Sequence, residues 1–138
     1  MIVILCLDDH NGMMFNHRRQ SKDNKVIEDI IKLCNGQKLY MSEYSKIMFQ
    51  QHENIEKNIT ADPDFLQLAQ SGSYCFVENL NINSYMDKLE KIIIYKWNRH
   101  YPADLFFDVS TLKNWELKEV ENFKGTSHEK ITREVYEK

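Results

Sequence analysis

Glycine and proline are scarce in this chain. Four glycines and two prolines among 138 residues argue against long flexible or polyproline linkers. No apolar run approaches the roughly 20 residues of a membrane-spanning helix. The opening Met1-Ile-Val-Ile-Leu-Cys-Leu7 lacks the basic region and small-residue cleavage site of a secretory leader. Cysteine is sparse and odd in number: Cys6, Cys34 and Cys75 lie far apart, each among apolar neighbours, the pattern of reduced core thiols rather than a disulfide framework. The expectation is a cytoplasmic protein with no membrane partner. Neither charge dominates. A net charge of −3, with Lys and Arg spread along the chain, gives no basic face for nucleic acid. Internal repeats and low-complexity tracts are also missing.

What is present is an ordinary globular composition, 42% hydrophobic and 28% charged, at a length that suits one domain over residues 1–138. Ile2–Leu7 is a continuous apolar run rich in β-branched residues, as in a central strand covered on both faces. Asp8 ends it and Asn11-Gly12 supplies a turn. A polar loop then leads to a helix opening near Lys22, with Ser21 as cap and Asp23 in the first turn. Val26, Ile27, Ile30, Ile31 and Cys34 fall on one helical face, and Asn35-Gly36 stops it. Further strands are expected at Lys38–Met41, Ile55–Thr60, Tyr74–Val77 and Lys91–Trp97. Helices are expected over about Ser42–Gln50, after Asp62-Pro63, and over Asn83–Leu89. Such alternation predicts an α/β fold with a largely parallel sheet. Two longer strands, Leu117–Phe123 and Lys130–Glu137, share a short connection and so form an antiparallel pair beside it.

The polar residues gather in two places. Asn16, Arg18, Arg19, Gln20, Ser21 and Asp23 precede the first helix, and Asn98, Arg99, His100 and Tyr101 follow the fourth core strand. The paired arginines suit an anion clamp at a helix opening. They equally suit a solvated loop whose charges offset Asp8 and Asp9. Phe15, Tyr40, Tyr44, Tyr95 and Trp97 offer rings for stacking on a flat ligand, or plain core. The five histidines show no paired metal-ligand spacing, so no metal site is expected. Phosphate loops, Gly-x-Ser-x-Gly elbows and cysteine-nucleophile arrangements are absent.

Read end to end, the chain resembles a shortened dihydrofolate reductase. The likeness is carried by Lys91-Ile-Ile-Ile-Tyr-Lys-Trp97, by Ala103-Asp-Leu-Phe-Phe107, by Trp115 before a strand, and by the closing Ile131-Thr-Arg-Glu-Val-Tyr-Glu-Lys138. At the other end, Ile2–Leu7 with Asn11-Gly12-Met13 and Asn16 is similar to that family's first strand and mobile loop. Gln20-Ser-Lys-Asp23 stands where the family has Leu-Pro-Glu-Asp. The resemblance implies a three-layer α/β sandwich with a mostly parallel central sheet and an antiparallel C-terminal strand pair. It also makes Asp23 the catalytic carboxylate that helps protonate a pterin; the alternative is a first-turn helix residue serving the helix dipole.

The cofactor positions depart from the family. Ser42-Glu43-Tyr44-Ser45 replaces Gly-Arg-x-Thr, and a glutamate in the arginine's place repels phosphate. Glu78-Asn79 replaces the Gly-Gly pair that lets the backbone approach the nicotinamide. Tyr95 replaces the threonine that partners the acid. NADPH is therefore disfavoured and no cofactor is expected. Such short bacterial chains are also likened to ribonuclease Z, but Asp8-Asp9-His10 is only a fragment of its His-x-His-x-Asp-His zinc motif.

The resulting expectation is a bacterial or phage protein that binds a nucleotide-like or pterin-like small molecule without reducing it. Asp23 is the catalytic residue of the alternative, a divergent reductase. The ligand-binding set is Asn16, Arg18, Arg19, Gln20, Ser21, Tyr44, Tyr95, Asn98 and Arg99. A third reading is a non-enzymatic interaction, inhibitor or ligand-sequestering protein from a mobile element, with a protein as its partner.

Overall fold

A computed structural model describes residues 1–52 and 58–138. Ile2–Leu7 forms β1, and its side chains alternate between two cores. Ile2 and Ile4 point to one side, where the helix α1 (Asn24–Cys34) lays down Val26, Ile27 and Ile30. Val3, Leu5 and Leu7 point to the other, against Met13, Met14, Phe65 and Leu66. A strand covered on both faces must be apolar throughout, which is why the run is continuous and not alternating.

The remaining strands of the main sheet are β4 (Leu39–Met41), β5 (Ile59–Ala61), β6 (Tyr74–Phe76), β7 (Lys91–Lys96), β9 (Glu116–Phe123) and β10 (Ile131–Glu137). Their order is β5-β4-β6-β1-β7-β10-β9. The first five run parallel. β10 lies antiparallel to β7, and β9 antiparallel to β10. This is the expected sheet. Strand β1 sits in its middle, with α1 and α2 (Glu43–Phe49) on one face. The short helix α3 (Phe65–Leu68) lies on the other. Of the strand expected over Ile55–Thr60, the residues up to 57 lie outside the described ones, and β5 begins at Ile59. No described helix is long and apolar enough to cross a membrane.

Three local expectations need correction. The stretch after Asn11-Gly12 is not a plain loop: β2 (Gly12–Phe15) and β3 (Arg18–Arg19) form a hairpin, to which β8 (Leu105–Phe106) adds a third strand. The hairpin turns at Asn16 and His17, with φ of 51° and 61°. A two-residue turn with both central residues left-handed matches the twist of the flanking strands, and Asn and His tolerate that region better than most residues. Without a glycine the turn gives no strong signal in sequence. The helix cap is Asp23 and not Ser21: the Asp23 carboxylate accepts from the Lys25 N–H at 2.9 Å, and α1 starts one residue later. Residues Asn83–Lys88 wind as a 3₁₀ segment with no buried face of its own.

Candidate functional site

The hairpin β2–β3 projects beyond the carboxyl end of β1, between β6 and β7 in the sheet. Ligands in open α/β sheets collect at such strand ends. Because strand side chains alternate, Met14 and Phe15 face different clefts. The larger cleft, about 570 Å³, is lined by Met14, His17, Tyr44, Asn79, Asp104 and Leu105. It thus draws on β2, on the opening of α2, on the segment after β6 and on β8. Its neighbour, about 310 Å³, is lined by Phe15, Asn16, Arg18, Arg19 and Gln20, with Tyr101 and Pro102 opposite.

The fold therefore brings Asn16, Arg18, Arg19 and Gln20 to one cleft. Arg18 is exposed with no acidic partner among the described residues. Arg19 is committed elsewhere. Its Nε and Nη2 donate to the two carboxylate oxygens of Glu78 at 2.8 and 2.9 Å. The guanidinium lies 4.4 Å from the Tyr44 ring centroid. Glu78 is buried and also accepts from Ser45 Oγ at 2.7 Å. A two-point ion pair of this kind is rigid and locally neutral, so Glu78, read from sequence as a bare repelling charge, is matched by Arg19. Glu43 remains exposed at the start of α2.

The other expected residues lie apart. Tyr44 belongs to the larger cleft. Tyr95 is fully buried under α1, and its hydroxyl donates to Asp29 at 2.6 Å rather than to Asp23. Arg133 holds the same Asp29 oxygen at 2.7 Å, so this is a cross-link between helix and sheet. Asn98 adopts φ 57° and donates to the Lys130 carbonyl and to Thr132 Oγ1, closing a turn. Arg99 is exposed, and its carbonyl accepts from the Asp9 N–H.

Asp23 is a buried acid with four hydrogen-bond donors on its carboxylate. One oxygen accepts from the N–H groups of Lys25 and Thr126, both at 2.9 Å. The other accepts from the Ser127 N–H at 2.8 Å and from His128 Nδ1 at 3.0 Å. Burial pushes its pKa up, but the bonds from His128, Thr126, Ser127 and Lys25 outweigh that and hold it below the usual carboxylate value. The loop from β9 to β10 can close on the carboxylate because residue 125 is glycine; a Cβ there would collide with the Asp23 oxygen. The apolar cavity beside Asp23, walled by Val26, Ile27, Met48, Phe76 and Trp97 among others, is about 10 Å³. That holds one water and no ring.

Sequence reasoning missed His128, which is buried, stacks on Trp97 at 4.6 Å between centroids, and sits 105 residues from Asp23. It also missed a convergence of Asp8, His10 and His100, whose ligand atoms lie within 4.8 Å of one another. No spacing signals the latter, because the two histidines are 90 residues apart. The Asp8 oxygens accept from the N–H groups of His10, Gly12 and Tyr101 and from Gln20 Nε2. Four donors fill the carboxylate, so it acts as a clasp between the β1–β2 turn and the loop after β7.

Comparison with known proteins agrees with this architecture. No family model matches the chain, and no curated protein matches it in sequence. Among solved structures it is similar to a dihydrofolate reductase from Enterococcus faecalis complexed with NADP(H) and RAB-propyl. The TM-score is 0.68 over 99% of this chain and 94% of that one, at 9% identity. The chain has a dihydrofolate-reductase-like fold.

Proposed function

We propose that the protein binds a small, flat molecule of nucleobase or pterin type in the larger cleft, and that it does not reduce it with NADPH. The observation that carries this reading is the Arg19–Glu78 pair stacked on Tyr44. The enterococcal reductase was solved with NADP(H), whose phosphates need free cationic or amide donors. Here Arg19, on the neighbouring cleft, is spent on Glu78, and Asp104 places an acid in the wall of the larger one. What the cleft does offer is the Tyr44 ring, 38% exposed, Met14 and Leu105 as apolar floor, and Asn79 and His17 as polar edges. That composition suits a largely uncharged heteroaromatic ring, and 570 Å³ lies within the ordinary range for small-ligand sites. Asp23, with four donors on its carboxylate, is a poor proton source for a pterin, which counts against the divergent-reductase alternative. A reducing, cytoplasmic setting accords with three free cysteines, two of which, Cys34 and Cys75, burial pushes up to about 12.

The test is a thermal-shift panel of neutral nucleobases, nucleosides and pterins at about 1 mM. At least one class is expected to raise the Tm, and Tyr44→Ala should weaken its binding by about 1–3 kcal/mol, the range for a base stacked on an aromatic ring. A panel that leaves the Tm unchanged, or a hit indifferent to Tyr44, contradicts the reading.

A further inference from the structure

We propose that Ser21, His128 and Asp23 form a nucleophile–base–carboxylate relay, and that Ser21 accepts the acyl group of a small carboxylic ester entering from the arginine-lined cleft. The inference rests on a cluster that ligand binding in the larger cleft does not use. His128 Nδ1 lies 3.0 Å from an Asp23 oxygen, and His128 Nε2 lies 3.1 Å from Ser21 Oγ. Each is within the reach required of an orienting carboxylate and of a general base.

Two hydroxyls stand on the free nitrogen of His128, Ser21 Oγ at 3.1 Å and Tyr101 at 3.0 Å. Asp23 accepts backbone N–H bonds and is held ionised, so His128 Nδ1 must carry the proton it shows to that carboxylate. Nε2 is then the acceptor, and the relay is the arrangement in which Ser21 O–H donates to it. Tyr101, whose hydroxyl is 3.0 Å from Nε2 and 3.4 Å from Ser21 Oγ, turns its own O–H towards the serine. The ring itself cannot drift: Trp97 stacks on one face of the imidazole, with the planes 24° apart. A buried imidazole with fixed tautomer, fixed plane and a serine on its free nitrogen is the local arrangement that makes a weak hydroxyl nucleophilic.

Access is from one side. Ser21 does not itself line the 310 Å³ cleft, but Gln20 before it and its neighbour Tyr101 do, and its own side chain is partly exposed. Arg18, exposed on the same wall, gives a carboxylate or phosphate on the substrate something to pair with. The cavity behind Ser21 is about 10 Å³, room for one water, so an acyl group has to lie on the cleft side of the serine.

The step balances without a co-reactant other than water. Ser21 Oγ attacks the carbonyl carbon as its proton passes to His128 Nε2. The ester C–O bond breaks, and the leaving alcohol takes that proton. Water then repeats the transfer on the acyl-serine, releasing the acid and restoring the serine. The candidate donors to the developing oxyanion are the Tyr101 hydroxyl and the N–H of Lys22, which has no acceptor among the described residues. The residue after the nucleophile supplies this N–H in other serine hydrolases.

The test uses the full chain and a fluorophosphonate probe, read by intact mass and peptide mapping. The expected result is one adduct, on Ser21, absent from Ser21→Ala. The labelling rate should fall about 10²–10⁴-fold in His128→Gln, the range for loss of a general base. The groups facing the His128 ring are Asp23, Ser21, Tyr101 and Trp97. If His128→Gln does not fold, the unaltered protein decides: Ser21 must label ahead of every other serine. An unlabelled Ser21, or an equal rate in a folded His128→Gln, would reduce the cluster to a clasp between α1 and the β9–β10 loop and overturn the proposal.

Discussion

Replacing Asp23 with alanine is expected to lower stability at neutral pH by several kcal/mol, since each buried donor left without a partner costs about 1–3 kcal/mol. The carboxylate is 2% exposed and receives four donors from α1 and from the β9–β10 loop. Deleting it orphans three backbone N–H groups and the His128 Nδ1–H, and removes the α1 cap as well. Urea denaturation at pH 7 measures the loss. A first-turn acid serving only the helix dipole would cost under about 1 kcal/mol, so a loss of that size refutes the clasp. The pH dependence has a definite sign. Because the folded-state pKa of Asp23 is depressed, its contribution is complete above the unfolded value near 3.9. It is lost as pH falls through the still lower folded value. Asp8, depressed by N–H bonds that outweigh its burial, acts in the same direction. The protein is therefore expected to resist acid until below about pH 4, and Asp23→Asn to remove part of that acid dependence.

The second large effect concerns the sheet. Ile93 and Ile94 are adjacent in β7 and both nearly inaccessible, at 3% and 2%. Ile93 belongs to the core under α1, and Ile94 to the core on the opposite face. Each change to alanine should cost about 2–5 kcal/mol, through lost transfer energy and the cavity left behind. Two comparable losses at neighbouring positions require layers on both faces of the strand. A loss below about 1 kcal/mol at either residue would mean that its face is open.

The sheet was legible because its signals are local. Ile2–Leu7 and Lys91–Trp97 are apolar throughout, as two-sided burial demands, and Val26, Ile27, Ile30 and Cys34 mark a helix by spacing alone. The site was less legible because its key contacts join residues far apart. His128 meets Asp23 across 105 positions, and Arg19 meets Glu78 across 59. In sequence, Glu78 shows only as a charge where the resemblance expects glycine; that a neighbouring hairpin brings an arginine to it depends on a turn at Asn16-His17 that carries no glycine. Ser21 shows as a cap by residue type, yet Asp23, two residues on, has the same capability and lies where the β9–β10 loop adds three more donors. Capping chemistry alone does not choose between them; tertiary contacts do.

We propose that this dihydrofolate-reductase-like fold does not take up NADPH, because Arg19 and Glu78 neutralise each other at the strand ends. A melting curve recorded with and without about 1 mM NADPH tests it most directly. A dissociation constant near 10 μM would stabilise the protein by about 2.7 kcal/mol at a hundredfold excess, a shift of several degrees for a domain of this size. The account predicts superimposable curves. A clear rise in Tm with NADPH would contradict it and restore the reductase reading.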